Sequence, residues 1–519
     1  MFRRRPSAGL LAACCLASGL VLLPLGVTAW NAANVGWSTA LALLWRPLVG
    51  ELLTNTLRLI TCATICCGVI GTAIAWFIER TDLPGRRVWA VLAVVPLAIP
   101  PFITSYAWVS LNPGLADFTG ALLVVTVSYY PLVYLPVAAA LREMDPALEE
   151  TARALGNNRR TMFLRVVLPQ LRPALLGGML LVALDVLVEF GAFALLRFRT
   201  FTTAIYSAYR AGFSGAEPAL LAMILLVLCI ACLIAESLVR GGARYGRIAR
   251  GTRRRAVQYR LAGWQWLVQA GFAGWVALTV GVPLGMILYW LAQPGDGATA
   301  PVAASFAAVA QAAWASVYLG GAGAALTMAL ALPLGVLAVR YHGWIVTALE
   351  RAAYLAQSIP GIVVALALVS LTVHSLRPLY QSTMLLVAAY SILFLPLALV
   401  SVRAALMQAQ PGLEEAGRSL GLNRPAVMLR ISLPLAAPGL GAAAALVFIA
   451  VTTELTATLL LAPIGTQTLA TQVWADTSTL AFAAAAPYAA VMAIMSMAAS
   501  WLLAGRFGAA SIHTSAKAA

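Results

Sequence analysis

Residues 146–173 read PALEETARALGNNRRTMFLRVVLPQLRP, and residues 411–438 read PGLEEAGRSLGLNRPAVMLRISLPLAAP. The two stretches align without a gap at an offset of 265 residues, and 14 of the 28 aligned positions are identical. Ordinary composition would produce roughly two identities by chance. Each stretch is a polar island in an otherwise apolar chain. Copies this long and this similar identify two repeats of one structural unit.

The surroundings of the islands decide the class. The chain has 519 residues, of which 62% are hydrophobic and 10% charged, and its mean hydropathy is +0.89. A soluble protein of this size needs more charge to cover its surface. The apolar residues form runs of about 20 or more, enough to cross a hydrocarbon core of about 30 Å. Lipid leaves no partner for an open sheet edge, so the spans are helical. The short alternating strands of a membrane barrel are absent. The expectation is an all-α polytopic membrane protein of about 12 transmembrane helices. Spans are expected near 9–30, 52–78, 88–110, 119–140, 174–196 and 217–239, then near 263–291, 315–339, 348–373, 382–405, 437–461 and 483–504. Arg3, Arg4 and Arg5 precede the first run, which is too long for a signal-peptide core and reads as an anchored helix.

Charge orients these spans. The net charge is +16, carried by 34 Lys and Arg residues against 18 acids. Twelve spans put both islands on the same side as the N-terminus, and 28 of the 34 basic residues fall on that side. By the positive-inside rule that side is the cytoplasm. The linker at 240–260, RGGARYGRIARGTRRRAVQYR, holds eight arginines and no acid. Between two membrane halves it reads as a lipid-facing cytoplasmic connector, with no role in nucleic-acid binding. The seven cysteines lie in apolar runs, and Cys229-x-x-Cys232 has no second ligand pair, so they read as small buried hydrophobes.

The repeat extends past the islands. Pro131 matches Pro396, and Val188–Ala192 matches Thr453–Ala457, which sets Glu189 opposite Glu454. Upstream, Arg80 matches Arg340 and Ile99-Pro100 matches Ile359-Pro360 at an offset of 260. The chain is therefore two parallel six-span halves. Their pseudo-twofold axis runs along the membrane normal, with a pathway expected at the interface.

Within each island the local chemistry specifies helix, turn, helix. Asp145 suits a cap and Pro146 the first helical turn. Glu149 and Glu150 stand near the positive end of that helix. Gly156 is a left-handed terminator, and Asn158 can cap a second short helix ending before Pro169. Pro411, Glu414, Glu415, Gly421, Asn423 and Pro434 repeat the pattern. A freely solvated loop has little reason to keep caps, turn and apolar anchors together twice.

The segments Glu150-Thr151-Ala152-Arg153-Ala154-Leu155-Gly156 and Glu415-Ala416-Gly417-Arg418-Ser419-Leu420-Gly421, each with a later Leu-Pro, resemble the EAA loop of bacterial ABC importer permeases. Gly417 departs from the pattern, standing where the first copy has Ala152. The resemblance implies the ABC type I permease fold in two fused domains, 52–240 and 311–505. Residues 1–51 would add an N-terminal cytoplasmic end, the first helix and a periplasmic loop. Residues 241–310 would add the basic linker, a seventh helix and another periplasmic loop, and 506–519 a cytoplasmic tail. It further implies that each island is a coupling helix docking on an ATPase. The coupling residues would be Glu149, Glu150, Arg153, Leu155, Gly156, Asn158 and Arg159 in the first copy. In the second they would be Glu414, Glu415, Arg418, Leu420, Gly421, Asn423 and Arg424. Two copies of a cytoplasmic ABC ATPase, a periplasmic binding protein and the lipid bilayer are the implied partners, in the inner membrane. No G-x-x-x-x-G-K-[ST] loop is present, and the one lysine is Lys517 in the tail. ATP is thus expected to be used by the partner, with no cofactor on this chain and no enzymatic activity of its own.

Within that family the fused form resembles the ferric-iron group. The stretches EFGAFALLRFRTFTTAIY from Glu189 and ELTATLLLAPIGTQTLATQVW from Glu454 are similar to its post-loop segments. Thiamine, phosphonate and polyamine importers are the alternatives within the family, and a 12-span secondary transporter is the alternative outside it. Asp185, Glu189 and Glu454 lie in expected spans, where carboxylates are costly. They read either as pathway groups favouring a trivalent cation, or as structural hydrogen-bonded, ion-paired or protonated acids. Tyr129, Tyr130 and Tyr134 read as packing residues. Pro96, Pro100, Pro101 and Pro360-Gly361 mark kinks or unwound helices beside a cavity. His342, His374 and His513 do not cluster, so no metal site is assignable.

Overall fold

The computed structural model describes residues 6–144, 146–156, 158–212, 215–241, 258–293, 305–408 and 411–498. Helices dominate them, and the only β contact there is an isolated bridge between Thr81 and Tyr259. Among the described residues nine helices are long and apolar enough to cross a membrane, or ten if one sharply bent pair is a single span. The expectation of about 12 differs for identifiable reasons. The segment expected at 348–373 is two helices, Trp344–Leu355 and Gly361–Ser375. The last span begins as the helix Phe482–Ala498, and the remainder of its expected range lies outside the described residues.

Proline chemistry explains the broken spans. Arg86–Ala98 and Pro101–Leu111 meet at 90°. Between them Ile99 is extended (φ −102°, ψ 113°) and Pro100 and Pro101 follow. A proline disfavours helical backbone in the residue before it and supplies no N–H. Ile359 repeats the conformation before Pro360 (φ −96°, ψ 114°). The repeat therefore keeps the same extended break before the proline in both copies.

The chain divides into two compact units, interleaved relative to the sequence halves. One unit combines the N-terminal residues to 43, residues 208–226 and the chain from 295 onward. Its N-terminal helix Ala8–Ala33 packs on Phe306–Arg340, Trp344–Leu355 and Gly361–Ser375, all from the second half. The Ser18 hydroxyl donates to the Leu349 carbonyl at 3.1 Å, and the Asn31 amide donates to Ser370 Oγ at 2.9 Å. The other unit combines residues 44–207 with 227–294. There Val282–Ala292, from the second half, packs on Pro101–Leu111. Phe272 packs edge-on against Phe77, and Trp275 lies 5.5 Å from Tyr130, ring to ring. The repeat identifies equivalent pieces of sequence. It does not state which copies pack together, and the first span of each half sits with the other half's core.

Close helix approach at small residues positions the loops. In the second unit a Cβ on Gly71 would lie 2.9 Å from the Tyr130 carbonyl oxygen, and one on Gly178 would lie 2.8 Å from Val133 Cα. These two contacts hold Pro47–Arg80 and the helix Leu168–Val188 against Pro131–Glu143, the helix that leads into the first island.

Candidate coupling loops and the helix breaks behind them

Both islands form the expected helix, turn and short helix. The first helix is Pro146–Ala154, and the second copy is Pro411–Ser419. Gly156 and Gly421 terminate them in the left-handed region, at φ +79° and +89°. In the second copy the Gly421 N–H bonds the Arg418 carbonyl at 3.0 Å and the Leu422 N–H bonds the Gly417 carbonyl at 3.1 Å, a complete Schellman closure. Asn158 Oδ1 accepts from the Thr161 N–H at 2.8 Å, and Asn423 Oδ1 from the Ala426 N–H at 3.0 Å. Both asparagines therefore cap the short helices Arg159–Met162 and Arg424–Val427. A π-turn follows in each copy, Phe163–Val167 and Met428–Ser432, just before Leu168-Pro169 and Leu433-Pro434. The prolines cannot donate the next helical hydrogen bond, and the widened turn carries the chain into the following span. The expected cap Asp145 lies outside the described residues.

The two glutamates of each copy part company. Glu149 is buried and its Oε1 lies 2.9 Å from Arg80 Nη2, with side-chain exposures of 1% and 0%. Tyr259, arriving from the linker, donates its hydroxyl to Glu149 Oε2 at 3.2 Å. In the second copy Arg340 pairs with Glu414, and the Ser432 hydroxyl donates to Glu414 Oε1 at 2.7 Å. Each arginine is the last residue of a long helix, Pro47–Arg80 or Phe306–Arg340. These helices extend about 50 Å at 1.5 Å per residue. That exceeds a hydrocarbon core of about 30 Å, so each helix can carry its arginine to the island. Glu150 and Glu415 are exposed instead. So are Leu155 at 77% and Leu420 at 85%, with Gly156, Asn158, Gly421 and Asn423. Arg418 is half-buried, and its Nε donates to the Glu414 carbonyl at 3.2 Å. The side chains of Arg153, Arg159 and Arg424 lie outside the described ones.

Gly417 gains a packing reason. A Cβ there would lie 2.4 Å from Ile431 Cδ1. The aligned first-copy residues are Ala152, which is buried, and Val166. Ala with Val in one copy and Gly with Ile in the other share the same volume, one methyl having moved across the contact. The departure from the loop pattern is thus compensated within the fold.

Behind each loop the span expected to run on is interrupted. Leu168–Val188 stops at Glu189, and a short helix Gly191–Leu195 follows. Leu433–Thr452 stops before Glu454, and Thr456–Leu461 follows. The carboxylates serve the breaks. Glu189 Oε1 accepts from the Ala192 N–H at 2.9 Å, and Glu189 Oε2 accepts from the Tyr129 hydroxyl at 2.8 Å. Glu454 Oε1 accepts from the Ala457 N–H at 2.9 Å, and Oε2 from the Thr458 N–H at 3.1 Å and hydroxyl at 3.0 Å. The Tyr390 hydroxyl joins Thr458 Oγ1 at 2.8 Å. The expected ranges 174–196 and 437–461 are thus each a helix, a carboxylate-capped corner and a second short helix. Asp185, one turn before Glu189, has no hydrogen bond to its carboxylate among the described residues. No group of three or more His, Cys, Asp or Glu side chains able to hold a metal gathers among the described residues.

The model of the binding-protein-dependent transport system inner membrane component matches residues 68–241 and 330–505, one copy over each repeat. The chain belongs to this permease family. The permease is 37% identical over 475 residues to the Fe(3+)-transport system permease protein FbpB 2 of Haemophilus influenzae, covering 91% of this chain and 93% of the relative. It is 31% identical over 188 residues to the sulfate transport system permease protein CysT of Escherichia coli, covering 33% of this chain and 68% of the relative. It is 27% identical over 158 residues to the spermidine/putrescine permease PotB of Escherichia coli, covering 27% and 58%. The permease is thus a multi-pass inner-membrane subunit of an ABC importer. The family works with a substrate-binding protein and a separate ATPase, and the permease is not itself catalytic.

Sequence reasoning on the permease named the glutamates, the turn glycines and the capping asparagines. It missed Arg80, Arg340, Tyr259 and Ser432 as their partners. A signal for the arginines was present, because Arg80 and Arg340 align at the repeat offset of 260. Nothing in the arginine-rich linker distinguished Tyr259.

Proposed function

We propose that this permease passes ferric iron. The observation that carries the reading is the 37% identity across 91% of the chain with an Fe(3+)-transport permease. The likeness to the sulfate and spermidine/putrescine permeases covers only 33% and 27% of it. Two copies of a cytoplasmic ATPase dock, one on each island, against the exposed edges formed by Glu150, Leu155 and Gly156 and by Glu415, Leu420 and Gly421. The N-terminus is cytoplasmic, in keeping with the 28 basic residues counted on that side. A periplasmic binding protein delivers the cation to the opposite face. The arginine–glutamate ion pairs turn each docked island into a lever on a long helix, so ATPase closure moves whole spans and gives alternating access. Glu189 and Glu454 shape the corners beside the pathway, and Asp185, whose carboxylate accepts no hydrogen bond among the described residues, is the acid left to meet the cation.

The test is reconstitution of the permease with its ATPase and binding protein in proteoliposomes. ATP-dependent accumulation of radioactive Fe(III), unaffected by excess sulfate or spermidine, is expected. ATP-dependent uptake of either competitor in place of iron would overturn the substrate assignment while leaving the importer intact.

A further inference from the structure

In the unit formed by residues 44–207 and 227–294, a groove of about 860 Å³ opens between Pro47–Arg80 and the chain entering the helix Leu168–Val188. Ile65, Val69 and Trp76 form one wall, and Leu164, Leu175 and Met179 the other. Ile65, Val69 and Leu164 are 53%, 66% and 59% exposed, so no described residue roofs the groove. Both walls belong to candidate membrane spans. From Ile65 to Phe77 the groove follows one helix for about 18 Å at 1.5 Å per residue. That is close to the depth of one leaflet of a core about 30 Å thick.

The end nearest the first island has different chemistry. Tyr259, Arg260 and Leu261 close it. The Tyr259 N–H donates to the Arg80 carbonyl at 2.8 Å, and the Leu261 N–H donates to Asp82 Oδ1 at 2.7 Å, which fixes the linker across the helix terminus. The Tyr259 ring stacks on Trp76 at 5.7 Å. Arg260 is exposed at this mouth and has no hydrogen bond or ion pair among the described residues. Asp82, which accepts from Leu261, also lines a second cavity of about 400 Å³ with Arg86, Arg87 and Gln258, so net positive charge gathers near this helix terminus. An apolar slot one leaflet deep with cations at its polar end is complementary to a molecule with a long hydrocarbon tail and an anionic head.

We propose that this groove seats one anionic phospholipid, with an acyl chain along Ile65, Val69 and Trp76 and its phosphate on Arg260. The tail excludes free phosphate as the natural occupant, because phosphate alone leaves the apolar walls uncovered. Tyr259 forms both the closed end of the groove and a hydrogen bond to Glu149, so the lipid and the first island share one wall.

Trp76 reports occupancy. The full-length permease is placed in nanodiscs doped with brominated phosphatidylglycerol or brominated phosphatidylcholine. The Trp76 contribution is isolated as the difference between the wild type and Trp76→Phe. Quenching by the anionic lipid at an about fivefold lower mole fraction than by the zwitterionic lipid is expected from one arginine contact at the membrane surface. Arg260→Gln should close that gap. Ala73→Phe, which fills the groove from an exposed position, should weaken quenching by both lipids. Equal quenching by the two headgroups in the wild type would mean annular lipid without a site and would overturn the proposal. Trp76 emission indifferent to both would mean that protein covers the groove, and would overturn it too. Relief of quenching by soluble glycerol phosphate would assign Arg260 to a free phosphate rather than a lipid.

Discussion

Arg80 Nη2 stands 2.9 Å from Glu149 Oε1, with both side chains out of contact with solvent. Removing one partner strands a charge in a dry site, which costs about 3–5 kcal/mol, whereas replacing both with apolar residues is often neutral. Arg80→Met alone and Glu149→Leu alone should each lower the melting temperature sharply in detergent. The double variant should recover most of the loss. Its ATPase stimulation should nevertheless fall, because the island would remain folded but lose its tie to the long helix.

The pair Gly417 and Ile431 makes a test of compensation. Gly417→Ala brings a methyl to 2.4 Å from Ile431 Cδ1. Overpacking of this kind costs about 1–3 kcal/mol, less about 1 kcal/mol recovered in helix propensity. Adding Ile431→Val reproduces the first copy's Ala152 and Val166 and should restore stability. A thermal-melt double-mutant cycle should show coupling of opposite sign to the single effect.

Leu155 and Leu420 are the large apolar side chains that the islands present to solvent at their turns. Leu155→Ser with Leu420→Ser should leave the permease's melting temperature unchanged. Co-purification with its ATPase should fall by more than tenfold, about the loss of 1.4 kcal/mol or more of burial. A single substitution should have a smaller effect, since two docking sites act together.

What was legible in the chain followed the range of the chemistry. Gly156, Asn158 and Pro169 act within a few residues of themselves, so helix, turn and cap could be read directly. The corner at Ile99-Pro100 was equally local. Arg80 and Glu149 are 69 positions apart, and only their packed helices bring them together. The interruptions at Glu189 and Glu454 escaped notice because no proline marks them. A carboxylate inside an apolar run reads the same whether it caps a corner or faces a cavity, and Tyr129, which decides this for Glu189, lies 60 positions away on another helix. Interleaving of the halves was illegible for the same reason, since either copy of a span satisfies the same hydrophobic pattern.

The corner at Glu189 makes a graded prediction. Glu189→Ala leaves the Ala192 N–H and the Tyr129 hydroxyl without acceptors, at about 1–3 kcal/mol for each buried donor. Glu189→Gln retains one acceptor and should destabilise less. Asp185→Asn breaks no hydrogen bond among the described residues, so it should leave the melting temperature unchanged while reducing Fe(III) uptake. Equal uptake by Asp185→Asn and wild type would remove Asp185 from the pathway.

Because Ala8–Ala33 finds its neighbours in the second half, its final contacts are far ahead of it in time. Ser18 bonds a carbonyl 331 residues further along. At about 5–20 residues per second, the ribosome needs roughly 17–66 s to supply that stretch. Once in the bilayer, this helix must therefore stay inserted and uncommitted until residues 306–375 arrive. The cores into which its own repeat folds meanwhile receive their outer span from a segment not yet made. The two halves are copies in sequence, yet the unit of residues 44–207 and 227–294 has all its chain while the unit that holds Ala8–Ala33 still awaits most of its own.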